Sequence, residues 1–268
     1  MIQFFIGILL GALIGYGAYR AGALTRSGAW AAALTGGLIF GLGGLPWAVL
    51  LLTFFISSSV LSRTFVKRKE ALSEKFSKGS RRDYGQVLAN GGLGSLLAIS
   101  LALQSDQGWQ WVAFAGAMAA VNADTWATEL GLLSPTRPRL ITSGKVVERG
   151  TSGGVTLVGY LAALGGAGLI GAAAAFFTPV IAWLGFVGIV VLAGLAGSTF
   201  DSLLGATVQA IYYCPQCHKE TERYPVHGCV TETTQMRGWR WLNNDLVNFL
   251  ASLSGAMVAV GLSQLFIW

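Results

Sequence analysis

The chain contains few charged residues. Asp, Glu, Lys and Arg make up only 11% of its 268 residues, whereas 53% are hydrophobic and the mean hydropathy is +0.60. A soluble domain carries about 25% charged residues, so this composition excludes an ordinary soluble globular protein. The net charge of +6 would suggest a nucleic-acid partner in a soluble protein. In a membrane protein, positive charge instead indicates the orientation of the chain in the bilayer and contact with anionic headgroups. We therefore expect no nucleic-acid partner.

Other common features are also missing. Residues 1–19 are apolar and lack a basic segment and a small-residue cleavage site, which indicates a retained first helix rather than a cleaved signal peptide. The sequence has no convincing internal repeat and no low-complexity tail, so we expect a single membrane domain over residues 1–268. Only 3 cysteines are present, and their expected exposure to a reducing cytoplasm argues against a lasting disulfide.

The distribution of positive charge predicts the topology. All 18 Lys and Arg residues lie within 20–26, 63–82, 137–149 and 219–240, and the connections near 41–46, 104–108 and 176–179 have none. Because cytoplasmic loops are enriched in positive charge, the basic end should face the cytoplasm. One crossing needs roughly 20 apolar residues, which predicts an all-α polytopic membrane protein of about eight transmembrane helices. We place the crossings at 2–19, 28–43, 45–62, 84–103, 109–130, 154–175, 180–208 and 246–267.

This topology places both termini outside, and the expected location is a bacterial inner (plasma) membrane. The second and third crossings are short and share a tight corner at 43–46, so we expect them to be re-entrant or strongly tilted. Gly7, Gly11 and Gly15 recur every four residues, which allows another helix to approach closely. We expect that contact to be intramolecular and leave a homodimer open.

Polar residues within apolar helices are costly in a membrane and usually mark a site. In the fifth predicted crossing, at about 100° per residue, one arc of the helix carries Asn122, Asp124, Thr125, Thr128 and Glu129. Two carboxylates near the cytoplasmic mouth would bind a divalent cation, or one of them would act as a base. The alternative is that these residues end the helix in water.

Three other predicted helix ends bring polar groups to the same level of the membrane. They are Gln86 and Asn90 in the fourth crossing, Asp201, Ser202 and Gln209 in the seventh, and Asn244, Asp245 and Asn248 at the start of the eighth. Each set alone would serve as helix caps, but their convergence favours a shared site. Hard oxygen ligands without a surplus of soft donors suit Mg²⁺ bound together with substrate phosphates.

A glycine-rich turn precedes the sixth crossing and is suited to phosphate, because it presents backbone N–H groups and the positive end of a helix dipole. The candidate phosphate-binding residues are Lys145, Arg149, Gly150, Thr151, Gly153 and Gly154. Arg81 and Arg82 add positive charge just before the fourth crossing. The glycine-rich segment does not match the Walker motif, in which the lysine follows the second glycine. The alternative is a flexible cytoplasmic loop whose bases face the membrane.

Together these segments resemble the signatures of one integral membrane family, long labelled domain of unknown function 92, the family of transmembrane protein 19 and the plant phytyl-phosphate kinase. The matching segments are 86–91 (QVLANG), 122–131 (NADTWATELG), 150–155 (GTSGGV), 201–209 (DSLLGATVQ) and 244–248 (NDLVN). They span almost the whole chain in order, and Asp245 stands where the family has Asn or Asp. The resemblance implies a kinase that converts an isoprenoid monophosphate to the diphosphate, as in tocopherol biosynthesis. Its donor would be a nucleoside triphosphate, which is CTP in related phytol and dolichol kinases.

The residues and the resemblance agree on the class of chemistry, because phosphoryl transfer depends on charge neutralisation and alignment. We assign Asp124, Glu129 and Asp201 to Mg²⁺ binding or proton handling, and Lys145, Arg149 and the turn at 150–154 to the donor phosphates. The residues expected to line the substrate pocket are Arg81, Arg82, Gln86, Asn90, Asn122, Thr128, Ser202, Gln209, Asn244, Asp245 and Asn248. The alternatives are a cytidylyltransferase that forms a CDP-lipid, a prenol kinase with Asp124 as base, and an ion-coupled transporter.

The predicted cytoplasmic loop at 212–240 contains a possible zinc knuckle. Cys214 and Cys217 form a Cys-x-x-Cys pair, and His227 and Cys229 follow as His-x-Cys. These four residues would bind a structural zinc ion tetrahedrally, with His218 as a substitute ligand. The alternative is free thiols in a loop. A complete set of four protein ligands leaves no open position, so we do not expect a catalytic zinc.

Overall fold

The computed structural model describes residues 2–64, 81–104, 108–179 and 183–266. These ranges contain the helices α1 (Ile2–Arg20), α2 (Arg26–Thr64), α3 (Tyr84–Leu103), α4 (Trp109–Gly131), α5 (Leu157–Ala175), α6 (Trp183–Thr207) and α7 (Asn244–Phe266). The strands are β1 (Arg139–Leu140), β2 (Gly154–Val155), β3 (Ile211–Cys214), β4 (Lys219–Thr221) and β5 (Thr234–Arg237). The predicted all-α polytopic fold is therefore confirmed. Parts of the predicted basic segment 63–82, of the connection 104–108 and of the last two crossings lie outside the described residues.

Helix α2 is a hairpin of two arms. Gly44 has φ 79° and ψ −165°, values that no helix adopts, and Pro46 follows it. Glycine reaches positive φ without steric cost, so the chain can reverse here. The second arm returns to the end of α1, where Arg63 Nη2 donates a hydrogen bond of 2.6 Å to the Ala21 carbonyl oxygen. The predicted crossings 28–43 and 45–62 are the two arms.

Among the described residues, fewer helices qualify as separate membrane spans by length and composition than the eight predicted crossings. Six helices of the described ranges are long and apolar enough to cross a membrane by length and composition, namely α1, α2, α3, α5, α6 and α7. One difference arises because α2 counts once although it has two arms. The other is α4, whose last turns carry Asn122, Asp124 and Glu129 and are therefore less apolar.

Helix α4 is the buried centre of the bundle. Every residue from 112 to 123 is buried, and the helix packs against α2, α3, α5, α6 and α7. Small residues bring the neighbouring backbones close: a Cβ added to Gly116 would lie 2.6 Å from the Gly255 carbonyl oxygen, and one added to Gly197 would lie 2.9 Å from that of Ala251. Such close approach is typical of helix packing in membranes. It fixes the polar end of α4 among its neighbours.

Side-chain caps fix the starts of α3 and α5. The carboxylate of Asp83 accepts a hydrogen bond from Gln86 N (3.0 Å), and the Gln86 side chain accepts one from Asp83 N (3.2 Å), which is a capping box. Thr156 Oγ1 accepts a hydrogen bond of 2.9 Å from Gly159 N at the start of α5. Helix α5 begins at residue 157 rather than at the predicted 154, because residues 154–155 pair with β1 as a strand.

The predicted loop at 212–240 contains a small antiparallel sheet in which β3 pairs with both β4 and β5. Most of β3 is buried. From β5, Arg237 Nη1 donates a hydrogen bond of 2.7 Å to the Gly205 carbonyl oxygen, and its Nη2 lies 3.4 Å from that of Ser152. The sheet is thereby held against the end of α6 and the turn at 150–154.

The three regularly spaced glycines of α1 face the first arm of α2. A Cβ on Gly7 would lie 2.8 Å from the Gly37 carbonyl oxygen, and one on Gly11 would lie 2.6 Å from that of Ala33. These neighbours are backbone atoms, so they cannot move aside as a flexible side chain would. The predicted intramolecular packing of these glycines is confirmed.

We expect Gly11→Ala to destabilise the protein by about 1–3 kcal/mol, because the added methyl group overpacks the contact between α1 and α2. The measurement is thermal unfolding in detergent. Gly17→Ala is the matched control, since nothing lies within 4 Å of a Cβ at Gly17 of the same helix. It should leave stability unchanged or raise it by up to about 1 kcal/mol through helix propensity. Equal losses in the two variants would contradict this packing.

Candidate active site

A cavity of about 430 Å³ opens at the end of the bundle that carries the basic segments. Its walls come from α2 to α7, from the turn at 150–154 and from the residue after β4. The predicted site residues that line it are Arg82, Gln86, Asn90, Asp124, Thr128, Glu129, Arg149, Gly150, Thr151, Gly153, Gly154, Asp201, Ser202, Asn244 and Asn248. The three predicted acids therefore share one cavity with two arginines and the glycine-rich turn.

Asp124 of α4 and Asp201 of α6 form the acidic pair. Their carboxylates are close enough to repel each other, and Ser198 of α6 is within hydrogen-bonding reach of Asp124. The Oδ2 atom of Asp201 is buried and has no hydrogen-bond partner among the described residues. A buried charge is costly unless it is paired or coordinates a metal. This donor set fits a divalent cation, since hard carboxylate oxygens are its preferred ligands.

Arg82 and Glu129 form the arginine–glutamate pair, which faces α2 rather than α6. Ser62 Oγ of α2 donates a hydrogen bond of 2.6 Å to Glu129 Oε1, and the Glu129 charge acts on Arg82. Arg82 Nη2 donates one of 2.8 Å to Ser58 Oγ, and the guanidinium lies 5.3 Å from the centre of the Phe54 ring. Its Nη1 is buried and finds no hydrogen-bond partner in the part of the chain described. An arginine held in this way is suited to a phosphate.

The backbone around Arg82 decides which arginine enters the cavity. Arg82 N donates a hydrogen bond of 3.0 Å to the Ala23 carbonyl oxygen, and Thr25 N donates one of 2.9 Å to the Arg82 carbonyl oxygen. Successive side chains of an extended segment point to opposite sides. Arg82 therefore points inward, whereas Arg81 points outward and its Nη2 donates a hydrogen bond of 3.2 Å to the Leu24 carbonyl oxygen.

The glycine-rich turn approaches α6 more closely than any side chain allows. Gly150 and Gly153 have φ of 79° and 80°, a region that strains other residues. A Cβ on Gly153 would also lie 2.5 Å from Ala206 N. Arg149, just before the turn, is held by a hydrogen bond of 2.6 Å from its Nη2 to the Ser134 carbonyl oxygen. Both features fix the turn at the mouth of the cavity.

A fourth carboxylate in the cavity, Glu222, follows β4 and was not predicted from the sequence. Its Oε1 accepts a hydrogen bond of 2.9 Å from Gln209 Nε2 and lies 3.2 Å from Ser152 Oγ, and its charge acts on Asp201. Burial lowers the pKa of Arg237 nearby, and neighbouring carboxylates, Glu222 among them, oppose that shift. No local pattern distinguishes this acid from others in a polar loop, because only the folded sheet brings it to the cavity.

Among the hydroxyl residues that line the cavity, Ser62 and Ser198 were not predicted. Helical spacing carries a usable signal for both. Ser58 and Ser62 lie one turn apart on one face of α2, and Ser198 precedes Asp201 by three residues in α6. Residues three or four apart share a face of a helix, so a polar stripe was present in each apolar run.

Two of the predicted pocket residues are buried and form hydrogen bonds between structural elements instead. Asn122 Nδ2 donates a hydrogen bond of 2.8 Å to the Gly166 carbonyl oxygen, and its Oδ1 accepts one of 3.0 Å from Ser57 Oγ. Asn122 thus joins α4 to α5 and α2 and does not line the cavity. Gln209 likewise lies behind the wall, where it holds Glu222.

Three predicted charged residues also lie outside the cavity lining. They are Arg81, as described above, Lys145 and Asp245. Lys145 is exposed in the connection between β1 and β2, where its carbonyl oxygen accepts a hydrogen bond of 2.8 Å from Leu140 N. Asp245 lines a second groove, between α2, α3 and α7. Its neighbour Asn244 faces the cavity instead.

These features define a polytopic integral membrane protein with an acidic, arginine-flanked cavity at one end of its helix bundle. The chain belongs to the family described as Integral membrane protein DUF92, whose family model matches residues 9–256.

Similar proteins occur in plants and archaea. Protein PGR of Arabidopsis thaliana is 34% identical over 92% of this chain and 91% of its own length. Uncharacterized membrane protein MJ0933 of Methanocaldococcus jannaschii is 30% identical over 97% of this chain and 94% of its own length. Protein VTE6, chloroplastic, of Arabidopsis thaliana is 25% identical over 90% of this chain and 66% of its own length. No solved structure matches the chain.

We expect Asp201→Asn to weaken the binding of Mn²⁺, a paramagnetic probe of Mg²⁺ sites, by at least about tenfold. Substitution of a residue that only contacts a metal ligand already lowers metal affinity by about that factor. The reason is that the acidic pair loses one of its two charges. Electron paramagnetic resonance of free Mn²⁺ measures the affinity. Asp245→Asn is the matched control, since Asp245 lies at the same level but outside the cavity. An equal loss in the control would contradict this assignment.

Proposed function

We propose that this protein is a membrane-embedded kinase that converts an isoprenoid monophosphate, phytyl phosphate or a similar prenyl phosphate, to the diphosphate. The donor is a nucleoside triphosphate, with CTP as the first candidate. The observation that carries the proposal is a pair of residues that line one cavity and each keep a buried side-chain atom without a hydrogen-bond partner among the described residues. These atoms are Asp201 Oδ2 and Arg82 Nη1. One suits a cation and the other an anion, which together describe a metal-bound phosphate.

Asp124 and Asp201 are the residues that would hold Mg²⁺. When bound, Mg²⁺ neutralises phosphate charge during transfer. Glu222 lies beside this pair and adds negative charge. Glu129 faces Arg82, so its role in the proposal is to hold the arginine in place rather than to bind the metal.

The phosphates face Arg82, Arg149 and the turn that leads into α5. Arginine donates two parallel hydrogen bonds to a phosphate, and a helix N-terminus attracts anions. In the transfer, an oxygen of the acceptor monophosphate attacks the γ-phosphorus, the bond to the bridging oxygen breaks, and the nucleoside diphosphate leaves. A phosphate monoester has a second pKa of about 6, so the acceptor is ionised at neutral pH. A strong general base is therefore unnecessary, whereas a prenol acceptor would need Asp124 as base.

The isoprenoid chain is assigned to the second groove, of about 460 Å³. Its walls are mainly apolar and include Leu34, Leu38, Leu88, Leu96 and Phe249. Helices α3 and α7 separate it from the cavity, and each of them faces both spaces. A prenyl phosphate bound around these helix ends would keep its tail in apolar surroundings and its phosphate at the arginines.

Family membership supports the same class of substrate. The matching motifs resemble those of the phytyl-phosphate kinase family, and the chain is similar to Protein VTE6, chloroplastic. The competing functions use similar groups. A cytidylyltransferase needs the same metal and basic residues and differs in its products. An ion-coupled transporter places its ion site near the middle of the membrane, whereas these acids lie at one end of the bundle.

The assay uses purified protein in detergent with Mg²⁺, CTP and phytyl phosphate. We expect prenyl diphosphate and CDP in equal amounts, and no product when Mg²⁺ is omitted. Arg82→Gln should lower kcat/KM by on the order of a hundredfold, the cost of removing one preorganised donor. Arg20→Gln is the control, because Arg20 is exposed at the same end and bonded to Tyr16. Pyrophosphate release would instead identify a cytidylyltransferase, and no product from a panel of donors and prenyl acceptors would refute the proposal.

The groove assignment predicts selectivity by chain length. Gly92→Leu should raise KM for phytyl phosphate by about tenfold and leave KM for a five-carbon prenyl phosphate nearly unchanged, since a methylene contact contributes about 1–3 kcal/mol. A Cβ on Gly92 meets no atom closer than 4.0 Å, so the variant should fold. Gly188→Leu is the control, because it is likewise unobstructed and lies outside the groove. A uniform effect on both substrates would rule out the groove as the tail site.

A further inference from the structure

The sheet between α6 and α7 brings three cysteines and one histidine into a single cluster. The Sγ atoms of Cys214 and Cys229 lie 3.5 Å apart, and His227 Nδ1 lies 3.5 Å from Cys217 Sγ and 3.3 Å from Cys229 Sγ. All four atoms lie within 4.8 Å of one another, and the cysteines are free. Cys214 and His227 are buried. The cluster thus presents one nitrogen and three sulfur donors at a common centre.

The spacing of these donors matches a tetrahedral metal site. With Zn–S bonds of about 2.3 Å and Zn–N bonds of about 2.0–2.1 Å, the edges of a tetrahedron are roughly 3.5–3.8 Å. The three contacts given above, of 3.3–3.5 Å, fall at or just below that range, and the other pairs lie within 4.8 Å. Three thiols and an imidazole form one of the recurrent structural zinc sets, and soft thiolates do not suit Mg²⁺.

The backbone gives a second, independent indication. His218 directly follows Cys217 and has φ 52°, and Val230 directly follows Cys229 and has φ 64°. Positive φ is uncommon outside glycine and is an outlier for a β-branched residue such as Val230. Such strain persists only where the surroundings over-determine it. Both residues directly follow a cysteine of the cluster, and Cys217 N donates a hydrogen bond of 3.5 Å to Cys214 Sγ.

The cluster is joined to the cavity through the sheet. Cys214 ends β3, and the paired strand β4 leads directly to Glu222, which contacts Ser152 Oγ and Gln209. From β5, Arg237 contacts the carbonyl oxygens of Gly205 and Ser152. The order of the sheet thus determines where the Glu222 carboxylate and the turn at 150–154 lie.

We infer that Cys214, Cys217, His227 and Cys229 bind one structural zinc ion, and that this ion holds Glu222 and the glycine-rich turn at the wall of the cavity. The inference goes beyond the proposed kinase and does not depend on it. Four protein ligands leave no open coordination position, so the ion acts on structure alone.

Metal analysis of the purified full-length protein tests the site. We expect one zinc ion per chain, retained in His218→Ala and lost in Cys217→Ser. His218 is the matched control, since it adjoins the cluster while its Nδ1 lies 3.1 Å from the Tyr213 hydroxyl. A zinc-free wild-type protein, or a loss of zinc in His218→Ala equal to that in Cys217→Ser, would overturn the assigned ligand set.

A second measurement needs no variant. A high-affinity zinc chelator should release the metal from the wild-type protein and make its 3 cysteines reactive to a thiol reagent that modifies them slowly beforehand. Equally fast modification before and after chelation would overturn the site even if Cys217→Ser failed to fold.

Hydrogen exchange tests the connection to the cavity. Removal of zinc should speed exchange in residues 211–237 and in residues 148–156, and leave α1 unchanged. Faster exchange that is confined to 211–237 would overturn the coupling to the turn. None of these three measurements uses phosphoryl transfer, so a protein that binds zinc but yields no prenyl diphosphate would fail only the kinase proposal.

Discussion

The constraint on which the site depends is the burial of like charges on facing helices. Asp124 and Asp201 lie on α4 and α6, close enough to repel each other, and Asp201 has a buried oxygen without a partner among the described residues. Burying a charge is costly, and a second charge of the same sign adds to that cost. In the proposed function, a bound divalent cation offsets that cost. The interpretation of the other residues in the site therefore depends on the acidic pair.

Close helix packing makes that pair possible. Two carboxylates on neighbouring helices meet only when the helix backbones approach closely, and α4 meets its neighbours through residues such as Gly116, Gly197 and Gly255. The same helix carries Glu129 toward α2 and Arg82. Because α4 is enclosed by five other helices, packing holds its acids at the wall of the cavity. The small residues of the bundle thus allow the close packing that brings the acids at its end together.

The sequence predicts where the spans lie and which helix ends share a site. It says much less about which side chain at a helix end faces inward. Apolar runs and basic segments locate the spans, and polar helix ends at one level of the membrane indicate a shared site. The rotation of each end depends on packing, so Asn244 lines the cavity while Asp245 lines the groove. Arg81 and Arg82 separate for a related reason, since backbone hydrogen bonds to 23–25 orient that segment. The position of Glu222 is harder to predict from the sequence, because it depends on the folded sheet that contains β4.

The placement of the two binding spaces favours an enzyme over a carrier. The cavity lies at the end of the bundle that carries the basic segments, and the groove lies along the apolar side of α3 and α7. A carrier needs one site that opens in turn to both sides of the membrane, near its middle. A reaction between a soluble donor and a membrane-dissolved acceptor instead needs a polar and an apolar space that meet at the interface. Helices α3 and α7 form the wall between the two spaces, because successive residues at their ends face the cavity and the groove in turn.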